Sequence, residues 1–303
     1  MSYMGIITKI GRAIWALPRL NKRQCNTLVM TMLVKNEEKM LENNLRFHKA
    51  MGVDKFVITD NNSTDSTPQI LEKYKEMGWV HAIIKEPGQN YMQKQWVDRM
   101  ICLAIKELKA DWIMNVDADE FWYTPTGSIK QELAQAKGNV VHCPIRSMYP
   151  EENTPYTQWN KRVEFVSNQA DYELSTYSIF ERQRGKVAHR TDGYLQIGTG
   201  NHKVTMLPKK TVETGIMIYH YNVGLRDAFI AKMVNGGKQF EQHPGKKHGR
   251  HWRYFYELYK NNQLSEEYDR VIGLHHLEEL KRDGYLVEDG TMTSIFSQLS
   301  GKI

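Results

Sequence analysis

Three carboxylates, Asp117, Asp119 and Glu120, follow directly on the apolar run Trp112-Ile113-Met114-Asn115-Val116. A run of this length reads as a buried strand, so the acids begin where the strand ends, at the edge where open α/β sheets place their ligands. Asp117 and Asp119 alternate with Ala118, and in an extended backbone both side chains leave the same face. Two oxygen ligands on one face suit Mg²⁺ or Mn²⁺, hard cations that take carboxylates together with substrate phosphates. A D-x-D triplet by itself is most often a solvated turn. Trp112 before it and Phe121-Trp122-Tyr123 after it are not the flanks of an exposed loop tip.

Elements upstream position this cluster. A first buried strand is expected over residues 27–34, followed by Lys35-Asn36-Glu37-Glu38 and a helical spacing through Met40, Leu41, Leu45 and Phe47. A second strand over 55–59 meets Asp60-Asn61-Asn62-Ser63-Thr64-Asp65-Ser66-Thr67, residues that favour turns and helix starts, with Pro68 suited to the first turn of a helix over 69–74. Strand, helix, strand, helix specifies parallel crossovers, so the polar loops and the D-x-D fall on one rim.

The segments LVKNEE, VITDNNSTDST and DWIMNVDADEF, in this order, resemble the nucleotide-sugar half of a family 2-type glycosyltransferase with the GT-A fold. The closer likeness is to a bacterial subgroup reading NE, H, GVD, DN-STD-T and DADEF, which His48 and Gly52-Val53-Asp54 also match. The resemblance implies a Rossmann-like, mostly parallel sheet flanked by helices, and transfer of a sugar from a nucleotide diphosphate donor with Mn²⁺ or Mg²⁺ bridging the diphosphate and Asp119. It implies donor contacts from Asn36, Glu37, Asp60, Asn61 and Asp117. A basic residue among Gln93, Lys94 and Gln95 would meet the diphosphate, although these residues also read as an ordinary solvated helix start. His220, which ends the late apolar strand Gly215-Ile-Met-Ile-Tyr219, would complete the metal shell with Asp117 and Asp119; His202 competes for that role.

The acceptor half is expected after the acidic strand. A strand over 139–145 leads to Tyr149-Pro150-Glu151-Glu152, and Tyr149, Tyr156, Trp159, Tyr172 and Tyr177 are candidates for stacking on sugars or for the core. An inverting transfer needs a base at the acceptor hydroxyl; Glu152 is preferred, then Asp192. The last eighty or so residues read as helices over 226–234, 252–259 and 266–280, separated by Asn235-Gly236-Gly237 and His243-Pro244-Gly245. Between these breaks and Arg253 lies a basic cluster that would serve as a donor lid, as an acceptor site or as plain solvated surface.

Composition bounds the reading. The chain of 303 residues is 41% apolar, enough for one large α/β core and an appendage. The three cysteines are far apart and outside any C-x-x-C, which fits a reducing compartment and argues against structural zinc. No stretch approaches the ~20 apolar residues of a membrane span, so a cytoplasmic enzyme is expected, peripheral on the inner face of the plasma membrane. The net charge of +6 equals the six basic residues in 1–36, which hold no acid. The expected organisation is a basic amphipathic arm over 1–23, a GT-A catalytic domain over 24–225 and a helical region over 226–303. The expected function is sugar transfer from a nucleotide-sugar donor to a glycan or lipid-linked acceptor in cell-envelope polysaccharide synthesis. A sugar nucleotidyltransferase would share the carboxylates, but the glycine-rich first loop it needs is missing. A nucleic-acid-binding protein would explain the basic charge and not the carboxylate cluster, so no nucleic acid is expected.

The arm generates a direct test. A basic interfacial helix gains about 1 kcal/mol per basic residue at an anionic surface, so deleting residues 1–23 should abolish sedimentation with anionic vesicles, as raised salt should. Loss of the thermal transition on deletion would instead assign the arm to packing on the core or on a second subunit.

Overall fold

The computed structural model describes residues 25–86, 92–241 and 249–300; the expected arm over 1–23 and Lys246, Lys247 and His248 lie outside them. In chain order the elements begin with β1 (Leu28–Val34), α1 (Leu41–Ala50), β2 (Lys55–Asp60), α2 (Thr67–Glu76), β3 (Val80–Lys85), α3 (Gln93–Leu108) and β4 (Trp112–Val116). There follow β5 (Glu120–Tyr123), α4 (Ile129–Gln135), β6 (Val140–Cys143), β7 (Ile145–Ser147), β8 (Lys161–Val163), β9 (Lys186–Arg190) and β10 (Tyr194–Ile197). The chain ends with β11 (Val204–Met206), β12 (Thr211–Glu213), β13 (Met217–His220), α5 (Arg226–Glu241), α6 (Arg250–Lys260), α7 (Leu264–Ile272), α8 (Leu277–Arg282), β14 (Leu286–Glu288) and α9 (Thr291–Ser300).

Seven strands form one sheet in the order β12-β6-β9-β4-β1-β2-β3. β3, β2, β1 and β4 run parallel, and β12 runs parallel to β6, while β9 is antiparallel to both β4 and β6. The fold is therefore the expected mixed α/β type with a mostly parallel sheet flanked by helices. β1 and β4 are apolar along almost their whole length because a parallel strand covered on both faces has no solvent side. One core joins Val29, Val57 and Ile113 to Val97, Met100, Ile101 and Ala104, the apolar stripe of α3.

The chain divides into two compact units: residues up to Ile145 together with Arg184–Tyr219, and Arg146–Gln183 together with His220–Ile303. This division differs from the expected boundary at residue 225, because residues 146–183 share a core with the C-terminal helices. In that second unit Val163, Val166, Ile179 and Phe180 cluster with Phe229, Phe255, Tyr268, Val271 and Leu280, and β8 pairs antiparallel with β14. The aromatic candidates for sugar stacking largely belong to this unit's interior. Tyr149, Trp159 and Tyr172 are buried; Trp159 Nε1 donates to Thr154 O at 3.0 Å, and Tyr172 OH donates to Asp283 Oδ2 at 2.7 Å. Tyr177 packs on Tyr254 and Phe255, and Tyr156 packs on Tyr221 and Phe296.

Two helical expectations change for local reasons. The run 266–280 is broken at Gly273, whose φ of 66° is left-handed and ends α7. Asn235-Gly236-Gly237 does not separate helices but lies inside α5. A Cβ on Gly236 would stand 2.0 Å from the Trp252 ring, and one on Gly237 would stand 2.4 Å from Tyr256 Cβ. The glycines thus let α5 and α6 approach closely, and the contact offsets the helix-propensity cost of about 1 kcal/mol per glycine. No helix among the described residues is long and apolar enough to cross a membrane.

Gly237→Ala should accordingly lower stability by about 1–3 kcal/mol through overpacking, whereas Asn235→Ala, exposed on the same turn, should change it by no more than about 0.5 kcal/mol. Urea denaturation of the two variants checks this; equal effects would show that the close approach of α5 and α6 does not depend on glycine.

Candidate active site

Because β2, β1 and β4 are parallel neighbours, the loops leaving their carboxyl ends share one edge of the sheet. Val34 pairs with Asp60 and Met32 with Val116, so the first loop sits between the second and the acidic turn. At about 4.8 Å between strands, Asp60 and Asp117 begin about 10 Å apart across the edge. The first two loops are interlocked. Asn36, at a left-handed φ of 57°, donates its N–H to Ser63 Oγ at 3.0 Å and accepts at Oδ1 from Thr64 N at 2.8 Å. Glu37 N donates to Thr67 Oγ1 at 2.8 Å, and Asn61 N donates to Val34 O at 2.8 Å. Asp60 is buried, and its Oδ1 accepts from Ser63 N and Ser63 Oγ at 3.0 and 2.6 Å. Asn36, Glu37, Asp60 and Asn61 are therefore brought together by backbone and side-chain bonds within the protein.

The acidic segment is not extended. Glu120 N donates to Asp117 O at 3.0 Å and Asp117 N donates to Glu120 Oε2 at 3.2 Å, so residues 117–120 close a turn between β4 and β5. The expectation that strand alternation sets Asp117 and Asp119 on one face is corrected: they hold the first and third positions of that turn. Helix α1 clamps it from below. Asn44 Nδ2 donates to Ala118 O at 2.9 Å and Glu120 O at 2.8 Å, while His48 Nε2 accepts from Trp122 N at 3.1 Å. The other ring nitrogen of His48 donates to Asn44 O at 3.0 Å and Asn44 Oδ1 at 2.9 Å, fixing the Nδ1–H tautomer. Burial pushes the His48 pKa down to about 3, so the ring stays neutral.

Beneath the turn lies Lys186, whose Nζ is 2.6 Å from Asp117 Oδ2 and 2.7 Å from Glu120 Oε1. Burial alone lowers a lysine pKa, but the carboxylates of Asp117 and then Glu120 outweigh it and hold Lys186 above its ordinary value, as ammonium. His202 belongs to the same unit; its Nδ1 lies 3.0 Å from Gly185 O, and burial, partly opposed by that bond and reinforced by the Lys186 charge, lowers its pKa.

The acidic turn offers Mg²⁺ or Mn²⁺ the right donor chemistry, two carboxylates at the ligand edge. Among the described residues no three His, Cys, Asp or Glu side chains form a ready-made cage, so diphosphate and water oxygens would supply the remaining ligands, the usual arrangement for Mg²⁺.

Other expected site residues lie on further elements. Gln93 opens α3, and Lys94 Nζ donates to Gln196 Oε1 at 3.1 Å. Asp192 does not join the acidic turn: Trp112 pairs with Arg190, and Thr191 N donates to Asp111 O, so Asp192 lies past the opposite end of β4, about 17 Å away along the strand. It is buried there, accepting from Arg190 Nη2 at 3.2 Å. Glu152 is exposed in the second unit. His220 closes β13 and falls to the second unit, its carbonyl accepting from Met148 N. Sequence reasoning missed Lys186 and Asn44. The available signal for Lys186 was a lysine at the head of the short apolar run Val187-Ala188; Asn44, a polar residue on the apolar stripe between Leu41 and Leu45, gave a weaker one.

A family model described as Glycosyltransferase family 92 matches residues 29–281. A glycosyltransferase family 92 protein of Ricinus communis is 23% identical over 127 residues, 40% of this chain and 22% of its own length. The lipopolysaccharide core biosynthesis glycosyltransferase LpsC of Rhizobium meliloti (strain 1021) is 31% identical over 86 residues, 28% of this chain and 29% of its own length. The chain thus aligns with under a third of these relatives. Among solved structures, S. aureus TarS in complex with UDP matches at a TM-score of 0.40 and 14% identity, covering 84% of this chain and 75% of that one. The mannosyltransferase PcManGT from Pyrobaculum calidifontis, in complex with GDP-Man and Mn²⁺, matches at 0.38 and 12%, covering 98% and 90%. The motifs resemble family 2-type enzymes, whereas the matching model is that of family 92.

The clamp on the acidic turn is testable. Asn44→Ala removes two buried hydrogen bonds to the acidic turn and should cost about 1–3 kcal/mol, at about 0.5–1.5 kcal/mol per bond. For His48 the folded-state pKa lies below the unfolded value, so its contribution is complete above about pH 6.5 and drains as pH falls toward 3. Urea stability at pH 7 and pH 4 should therefore fall less in His48→Gln than in the wild type; an equal fall would place the acid sensitivity elsewhere.

Proposed function

The chain belongs to glycosyltransferase family 92, and from that premise we propose that it transfers a sugar from a nucleotide diphosphate donor to a glycan or lipid-linked acceptor. The observation that carries the reading is the convergence of three loops, Asn36-Glu37, Asp60-Asn61 and Asp117-Asp119, on the carboxyl edge of three adjacent parallel strands. That edge is where open α/β sheets bind nucleotides. In this reading Asp60 Oδ2 and Asn61 take the ribose and base, Asn36 and Glu37 line the space between, and Lys94 reaches the diphosphate. Asp117 and Asp119 hold Mn²⁺ or Mg²⁺, with His220 or, alternatively, His202 as a further ligand. Such a cation, when bound, neutralises charge on the leaving diphosphate.

The chain's own residues then have defined tasks. The interlocked first two loops fix the nucleotide, and the clamped turn presents carboxylates without reorganisation, so binding energy is not spent on ordering the site. For inversion, the acceptor oxygen bonds to the anomeric carbon as the bond to the nucleotide diphosphate breaks, and a base receives the hydroxyl proton. Glu152 is our proposed base; Asp192, buried against Arg190 at the far end of β4, is set aside. The name of the LpsC relative supports an envelope glycan as acceptor; our reading also places the enzyme on the cytoplasmic face of the membrane, and that part rests on the basic residues of 1–23. A sugar nucleotidyltransferase is the second reading; its disfavour rests on the loop Lys35-Asn36-Glu37-Glu38, which lacks the glycines that would wrap a triphosphate.

Incubation with a panel of nucleotide sugars and Mn²⁺, beside a second arm of nucleoside triphosphates with sugar 1-phosphates, separates the readings, because sugar transfer releases nucleoside diphosphate in the first arm whereas nucleotidyl transfer releases pyrophosphate in the second. Asp119→Asn should reduce release about 10²-fold or more with its thermal transition unchanged. Glu152→Gln should lower kcat by about 10²–10⁴ with little change in donor KM. Near-wild-type turnover of Asp119→Asn at saturating Mn²⁺ would remove the acidic turn from the donor site.

A further inference from the structure

Lys186 is an expensive residue to place where it stands. Its side chain is 4% exposed, and taking a charge so far from water costs several kcal/mol unless close partners compensate. The partners differ in kind. Glu120 is fully buried, whereas the Asp117 side chain is 42% exposed. The ammonium therefore spends part of its charge neutralising an internal acid and part on a carboxylate that also faces the ligand edge. With Asp117, Asp119 and Glu120 at −1 each and Lys186 at +1, the cluster carries −2 instead of −3. A divalent cation arriving at Asp117 finds that carboxylate already in contact with a positive charge.

We propose, resting on the donor-site reading above, that Lys186 is a resident counter-cation that makes divalent-cation binding conditional on the donor diphosphate. In the donor-free protein Lys186 satisfies Asp117 and repels a second cation. A bound nucleoside diphosphate adds negative charge and oxygen ligands that outweigh this repulsion, so cation and nucleotide load together. The coupling is reciprocal: whatever factor the nucleotide adds to cation affinity, the cation adds to nucleotide affinity. Lys186 is a positioning residue here, since it touches Asp117 and Glu120 and not the substrate.

The test measures Mn²⁺ binding by electron paramagnetic resonance on the full chain, without turnover, with Mn²⁺ alone and with uridine diphosphate or guanosine diphosphate added in turn. Lys186→Met combined with Glu120→Gln removes one positive and one negative charge, preserving the total of −2, and replaces a buried ion pair by neutral groups of similar size, a change often tolerated. This double variant should bind Mn²⁺ alone at least tenfold more tightly than the wild type, and its further gain on adding nucleotide should shrink. Glu120→Gln alone leaves Lys186 to Asp117 and should weaken binding of Mn²⁺ alone more than binding of Mn²⁺ with nucleotide, whereas the mere loss of one negative charge would weaken both alike. A double variant with wild-type melting that binds Mn²⁺ alone no more tightly than the wild type overturns the proposal. Should the double variant not fold, Glu120→Gln decides, and equal weakening of Mn²⁺ binding with and without nucleotide overturns the proposal. Failure of the underlying donor-site reading looks different: Asp119→Asn would then bind Mn²⁺ with nucleotide as well as the wild type does.

Discussion

Parallel pairing of β2, β1 and β4 is the constraint from which the candidate site follows. A parallel ladder fixes strand direction as well as spacing, so every loop leaving a carboxyl end must emerge on the same edge. Three loops that are far apart in sequence, beginning near residues 35, 60 and 117, thereby become neighbours within about 10 Å. Their polar residues then bond to one another across the edge, as Asn36 does with Ser63 and Thr64. The ladder itself rests on near-complete burial of β1 and β4, whose apolar side chains pack under α3 and leave no solvent face on which register could slip.

Charge at this edge is handled by enclosure more than by solvation. Asp60 is buried yet keeps two hydrogen bonds from Ser63, and Glu120 is buried yet contacts Lys186. Both carboxylates have close protein partners, as a buried charge requires. The loops consequently present a fixed pattern of acceptors, the property a site needs if binding energy is to go into chemistry instead of ordering.

The sequence was legible where local periodicity and tertiary environment agreed. β1, β2 and β4 stand out as apolar runs bounded by turn residues, and Pro68 marks the start of α2. Reading failed where a residue's role depends on what packs against it. Gly236 and Gly237 look like a helix break in one dimension and prove to be the contact face for Trp252 and Tyr256. Residues 146–183 fall between two strands of the sheet, β6 and β9, but share their core with helices that lie more than forty residues further along the chain. The strict alternation assumed for Asp117-Ala118-Asp119 failed because the bond from Glu120 N to Asp117 O curls the chain as soon as β4 ends. Lys186 was hidden because a lysine ahead of two apolar residues looks like a strand end facing water; only the antiparallel docking of β9 against β4 turns it inward.

The clamp of α1 on the acidic turn explains why that turn holds a defined shape. A four-residue turn bearing three carboxylates repels itself, and a single backbone bond across it would be a weak restraint. Asn44 adds two bonds to the carbonyls of Ala118 and Glu120, and His48 adds one from the amide of Trp122. All three act on backbone groups, so the clamp from α1 does not itself occupy the side chains of Asp117 and Asp119. His48 can serve only while neutral, since protonation would remove the lone pair that accepts from Trp122, and burial keeps it so. Asn44 and His48 lie four residues apart, one above the other on a single helical face. One rigid element therefore grips the turn at both ends, and the carboxylates stand preorganised on backbone restraints that neither a cation nor a nucleotide has to supply.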